Sequence, residues 1–170
     1  LDYWFPVRKQ LYADRIDRHI IKTNLMIKYL ESIIRFTKAH QKYNITPKTS
    51  AESVDKLLVE HKYDTFNEAL LLNPKYTKVS ELACLIINNP DGCSYEYLIK
   101  LSYRDMMESA CKHRELQLME QKEKLKDLID DSGTDNKMFK GGKTWLKELE
   151  LVESAIADGI KLGWSYGKDT

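Results

Sequence analysis

The chain has 170 residues, of which 42% are hydrophobic and 31% charged, with a formal net charge of +1. That suffices for one domain with a buried core and is too apolar for compositional disorder. The near-neutral balance gives no global basic signal for nucleic acid, and no run of about 18 apolar residues exists to span a membrane. Residues 7–43 contain neither Gly nor Pro, and Pro6 stands where the first turn of a helix tolerates it. Ile20, Ile27 and Ile34 recur every seven residues, with Ile16, Thr23, Leu30 and Thr37 as the partner row. This heptad seam predicts a helix roughly 55 Å long, too long for a compact globule, with a second helix along its seam.

Asn44-Ile45-Thr46-Pro47 ends that helix. Thr49/Glu52 and Thr65/Glu68 have capping-box spacing before short apolar stretches. A third short helix is expected near Val79–Ile87, and Asn89-Pro90-Asp91-Gly92 reads as a turn. The pattern also admits short strands at Tyr43–Thr46 and Tyr95–Leu98. A second long helix is expected over Tyr103–Asp131, with Met107, Cys111, Leu118, Leu125 and Leu128 on its seam, diluted by Arg114 and Gln121. Residues 132–144 form a polar break. A last helix over Trp145–Ile160 carries Trp145, Leu149, Val152 and Ile156 on one face. The expected fold is all-α, with at most a minor two-stranded sheet. It is an antiparallel coiled-coil arm with a small helical tip: 1–43 ascending helix, 44–102 tip, 103–131 descending helix, 132–170 linker, base helix and tail.

Chemistry is sparse in the sequence. The first glycine is Gly92, so the first half holds no glycine-rich phosphate loop. Lys140-Gly141-Gly142-Lys143-Thr144 resembles the end of one, but Lys137 stands where the pattern needs glycine. Asp130, Asp131 and Asp135 imitate a calcium loop without its turn glycine or terminal Glu. His19, His40, His61 and His113 lack metal-ligand spacing. Cys84, Cys93 and Cys111 are odd in number without a C-x-x-C pair and read as reduced, intracellular thiols. The sequence opens at Leu1, its first methionine is Met26, and no signal peptide is visible, so the expectation is a piece of something longer. Residues 1–43 hold nine Lys/Arg against four Asp/Glu. The stripe Arg8, Lys9, Arg15, Arg18 and Lys22 is thus either a modest phosphate-attracting surface or a solvated helix face.

Three stretches together resemble type IIA DNA topoisomerases. Trp4-Phe5 followed by Arg8-x-x-x-Tyr12-x-x-Arg15 is similar to the start of that family's coiled-coil arm. Tyr97-Leu98-Ile99-Lys100-Leu101 looks like its Y-L-L-x-M segment, and Trp145-x-x-Glu148-Leu149 like its closing W-x-x-D-L, with Glu for Asp. Their order and spacing match over most of residues 3–158. The usual Trp after Y-L-L-x-M is replaced by Arg104, and the acidic insert before that segment is missing. The pattern is closest to a compact eukaryotic or large-DNA-virus enzyme.

The resemblance implies a parent that cuts one duplex through a tyrosine, passes another through the break and reseals it, using ATP and Mg²⁺. This stretch lies downstream of the family's tyrosine-bearing and metal-binding regions, so its own tyrosines are not the nucleophile. The fragment is then non-catalytic, with no catalytic, cofactor or metal residue of its own. It is expected to be the exit gate, or C-gate, a homodimer joined through the tip that releases a transiently and non-specifically held DNA duplex. No membrane partner is expected, and the parent would work in the nucleus or at a viral replication site in the cytoplasm. The expected dimer contacts are Tyr76, Leu85, Ile86, Tyr95, Tyr97, Tyr103 and Met106, and the expected phosphate contacts are Arg8, Lys9, Arg15, Arg18 and Lys22. The competing readings are a coiled-coil adaptor without an enzymatic parent, and a nucleic-acid-binding helical arm on an enzyme such as a synthetase.

Overall fold

The computed structural model describes residues 4–43, 45, 49–72, 92–133 and 139–161. Among these the regular structure is helical: α1 (Trp4–Ala39), α2 (Ala51–Glu60), α3 (Glu68–Leu71), α4 (Glu96–Ile99), α5 (Glu108–Ser132) and α6 (Gly142–Lys161). Single 3₁₀ turns occupy His40–Tyr43 and Tyr103–Met106. The all-α expectation holds. The only pairing of β type among the described residues is an isolated antiparallel bridge, Phe66 with Ser94. Tyr95–Leu98 is not a strand but the start of α4, and Tyr43 closes a 3₁₀ turn. The helix expected near Val79–Ile87 lies outside the described residues.

Two compact units are distinguished, one of residues 1–17 and 128–170, the other of residues 18–127. In the second, α1 and α5 run antiparallel in a fixed register. Lys38 pairs with Glu115 at 2.6 Å and Glu31 with Lys122 at 2.7 Å, so seven residues back along α1 match seven forward along α5. The heptad row is buried as expected at Thr23, Ile27, Leu30, Ile34 and Thr37. The Thr37 hydroxyl, placed among apolar neighbours, donates to the Ile33 carbonyl at 2.8 Å and is thereby satisfied.

The larger core lies on another face of α1. Leu25, Tyr29, Ile33 and Phe36, spaced by three and four, pack with Val54, Leu58, Tyr63, Phe66, Leu71, Tyr97 and Leu98. Tyr29, Phe66 and Tyr97 form a ring cluster with centroids 5.2 to 5.8 Å apart. Around it, short helices are fixed by their caps. Ser50, not Thr49, caps α2 by accepting from the Ser53 amide; Asn67, not Thr65, caps α3 by accepting from the Leu70 amide. Each lies nearer the apolar run than the residue the spacing suggests.

The second long helix does not begin at Tyr103. A capping box between Ser102 and Asp105 closes one 3₁₀ turn, and Met107 is extended at φ −67°, ψ 152°. The α-helix starts afresh at Glu108. Arg114, a charged residue at a seam position, reaches back to the carbonyl and carboxylate of Asp105 and holds this elbow.

Candidate functional site

In the first unit the two end motifs become one junction. Arg8, Tyr12 and Arg15 share a face of α1, and Trp145 and Glu148 lie on the opening turns of α6. The Tyr12 hydroxyl donates to Glu148 Oε2 at 2.5 Å, and the Arg15 guanidinium to Oε1 at 2.6 Å, so both carboxylate oxygens are used. The Tyr12 bond, then the Arg15 guanidinium, hold the Glu148 carboxyl below its ordinary pKa. The same bond, with burial, raises the Tyr12 phenol. Trp145 lies 5.8 Å from Phe5 and 6.3 Å from Tyr12, with Phe139 5.3 Å from Trp145. Lys9 sits over Phe5 and Phe139, and Arg8 over Trp4. Gly141 makes this closeness attainable: its φ is +83°, and a Cβ there would lie 3.1 Å from the Tyr12 carbonyl oxygen.

The Lys140–Thr144 stretch is the start of α6. Asp131, 6% exposed, caps that start. Its carboxylate accepts from the amides of Lys143 at 2.9 Å and Thr144 at 3.2 Å and from the Thr144 hydroxyl at 2.6 Å, while its carbonyl accepts from Gly141. An anion at a helix N-terminus satisfies orphan N–H groups and opposes the dipole, whether it is a ligand or a side chain. Lys143 pairs with Asp130, and Lys140 with Asp17. Among the described residues no cluster of three His, Cys, Asp or Glu is placed to hold a metal.

The basic stripe is not a row of uncommitted charges. Arg15 is balanced by Glu148, Arg18 and Lys22 are engaged in interactions of their own, and Arg8 and Lys9 lie over aromatic rings at exposed positions.

The expected dimer contacts separate sharply. Tyr76, Leu85 and Ile86 lie outside the described residues. Tyr97 is a correction: it is 3% exposed, its ring stacked in the core and its hydroxyl donating to the Asp64 carbonyl at 2.7 Å, so it holds the single chain together. Burial pushes its phenol pKa up. Tyr95 and Met106 are partly buried against the same core. Tyr103 is 84% exposed, and Ile99 and Met107, four residues to either side, are exposed as well. Sequence reasoning missed Ile99, which falls inside a segment read as a family signature.

No known family profile matches the chain. Over 166 residues, 96% of its length, it is 26% identical to the DNA topoisomerase 2 of two African swine fever virus isolates, one from a South African tick and one from a Namibian warthog. It spans only 13% of the length of these relatives. Its fold matches that of the Plasmodium falciparum topoisomerase II DNA-binding, cleavage and re-ligation domain with a TM-score of 0.62 at 20% identity, covering 91% of this chain and 20% of that one. The resemblance read from the three motifs is thus borne out along almost the whole chain, as likeness to a segment of type IIA DNA topoisomerases.

Proposed function

We propose that this chain is the exit-gate module of an ATP-dependent type II DNA topoisomerase, a homodimer through its tip that parts to release the transported duplex. The observation that carries the reading is where the apolar surface goes. The heptad seam of α1 is buried within one chain, leaving it unavailable to a partner helix. Among the apolar side chains left exposed, Ile99, Tyr103 and Met107 lie around the elbow before α5. A contact that opens and closes repeatedly suits a small aromatic centre with a polar rim. The relatives' names supply the parent reaction, and this chain spans too little of them to hold it. The family resemblance assigns ATP and Mg²⁺ to other parts of the parent, and in the Lys140–Thr144 stretch Asp131 already accepts from the Lys143 amide and the Thr144 hydroxyl. We read the parent's place of work as the nucleus or a viral replication site in the cytoplasm.

Sedimentation equilibrium on two variants tests this. Tyr103→Asp places a charge in the tip contact and is expected to give a folded monomer, losing about 2 kcal/mol or more of association. Ile27→Asp buries a charge in the intramolecular seam and is expected to lose helix content. A well-folded monomer from Ile27→Asp beside a dimeric Tyr103→Asp would replace the gate with the coiled-coil adaptor.

A further inference from the structure

The helix α6 carries an apolar face that the described residues cover only at its beginning. Trp145, Leu149, Val152 and Ile156 follow steps of four, three and four and so share one face. At Trp145 the face packs on Tyr12 and Phe5 of α1, with Glu148 at its edge answered by Arg15. Beyond that turn the same face continues at Leu149, Val152 and Ile156, which are 45%, 54% and 41% exposed. Leu146 is exposed beside it. From Trp145 to Ile156 the stripe is about 16 Å long. An apolar stripe continuous with a formed contact is the mark of an interface that extends further.

Its edges say what fits. Glu148 and Glu153 flank the stripe, and where it is covered the covering helix supplies an arginine. A second copy of this face would bring acidic edges together, which disfavours self-pairing. The chain makes up 13% of the length of the topoisomerases it matches and 20% of the solved domain whose fold it shares. Most of such a polypeptide therefore lies outside these residues. We propose that Leu149, Val152 and Ile156 dock against an apolar surface edged by Lys or Arg in the rest of the same topoisomerase polypeptide, extending the Trp145–Tyr12 junction along α6. This rests on the topoisomerase reading of the chain.

The test is thiol accessibility in the full-length polypeptide. Val152→Cys lies on the stripe, and Leu151→Cys off it, about 100° around α6, where Leu151 is 70% exposed. Maleimide labelling is followed at each site by mass spectrometry. Residue 152 is expected to label at least tenfold more slowly than 151 in the full-length polypeptide, and at a similar rate in the 170-residue chain. Adding Glu153→Lys to the full-length variant is expected to restore fast labelling at 152. Equal rates at both positions in the full-length polypeptide would overturn the proposal. So would protection of 152 in the 170-residue chain that grows with its concentration, which assigns the face to a second copy. DNA relaxation by the unmodified full-length polypeptide is measured separately. Its absence beside protection of 152 would remove the topoisomerase reading while leaving the docking face in place.

Discussion

Glu148 is the residue on which the first unit's junction turns, because one carboxylate serves a phenol of α1 and a guanidinium one turn on. Its pKa is lowered in the folded chain, chiefly by the Tyr12 hydroxyl. A carboxyl lowered on folding stabilises the native state above its unfolded pKa, about 4.3, and that contribution disappears as pH falls through the native value. Glu148→Gln keeps the shape and removes the charge. Thermal unfolding of the two proteins across pH is therefore expected to show a constant deficit for the variant above about pH 5 that closes as pH drops below about 4. A deficit unchanged at low pH would mean that packing, not ionisation, carries the junction. Glu148 is more than a third exposed, so solvent screening keeps the deficit small.

Elements in this chain are set by their ends. The start of α6 combines Gly141, which lets the backbone approach Tyr12, with Asp131, which caps the helix from the last turn of α5. Asp131→Ala leaves two helix amides without their acceptor and is expected to cost about 1–2 kcal/mol in urea unfolding, with faster amide exchange confined to residues 142–146. Asp131→Asn, which still offers an oxygen to those amides, is expected to lose less than half as much. A neutral result for Asp131→Ala would mean that solvent caps α6 equally well. The elbow at Met107 follows the same logic. Ser102 and Asp105 close a turn on themselves, the Ser102 hydroxyl being the main cause of a lowered Asp105 pKa, and the next helix nucleates separately.

For the molecule as a whole, the charge balance bears on the proposed encounter with DNA. With a net charge of +1 and Arg15 already paired, Arg8 and Lys9 are the cations best placed to meet phosphates at the start of α1. Binding through two or three phosphate contacts is expected to be weak. It should fall about ten- to forty-fold between roughly 50 and 200 mM salt, without sequence preference. Fluorescence anisotropy with unrelated duplexes checks both points, and sequence-specific affinity surviving about 0.3 M salt would contradict a gate that merely lets DNA pass.

The long helices, their antiparallel seam and the motifs that carry the family likeness are legible in the sequence. Seven-residue repetition at Ile20, Ile27 and Ile34 is local information, and a Gly- and Pro-free stretch leaves the backbone few alternatives. Tertiary structure alone decided which tyrosines are core and which are surface. Tyr97 and Tyr103 are alike in sequence terms, yet α1 presents Tyr29 to the first and the second is 84% exposed. The second buried face of α1, through Leu25, Tyr29 and Phe36, was hidden because its partners arrive from Val54–Leu71 and Tyr97–Leu98, far along the chain. The meeting of Tyr12 and Arg15 with Glu148, more than 130 residues apart, was likewise beyond any local pattern, since only the packing of α6 on α1 brings them within hydrogen-bond reach.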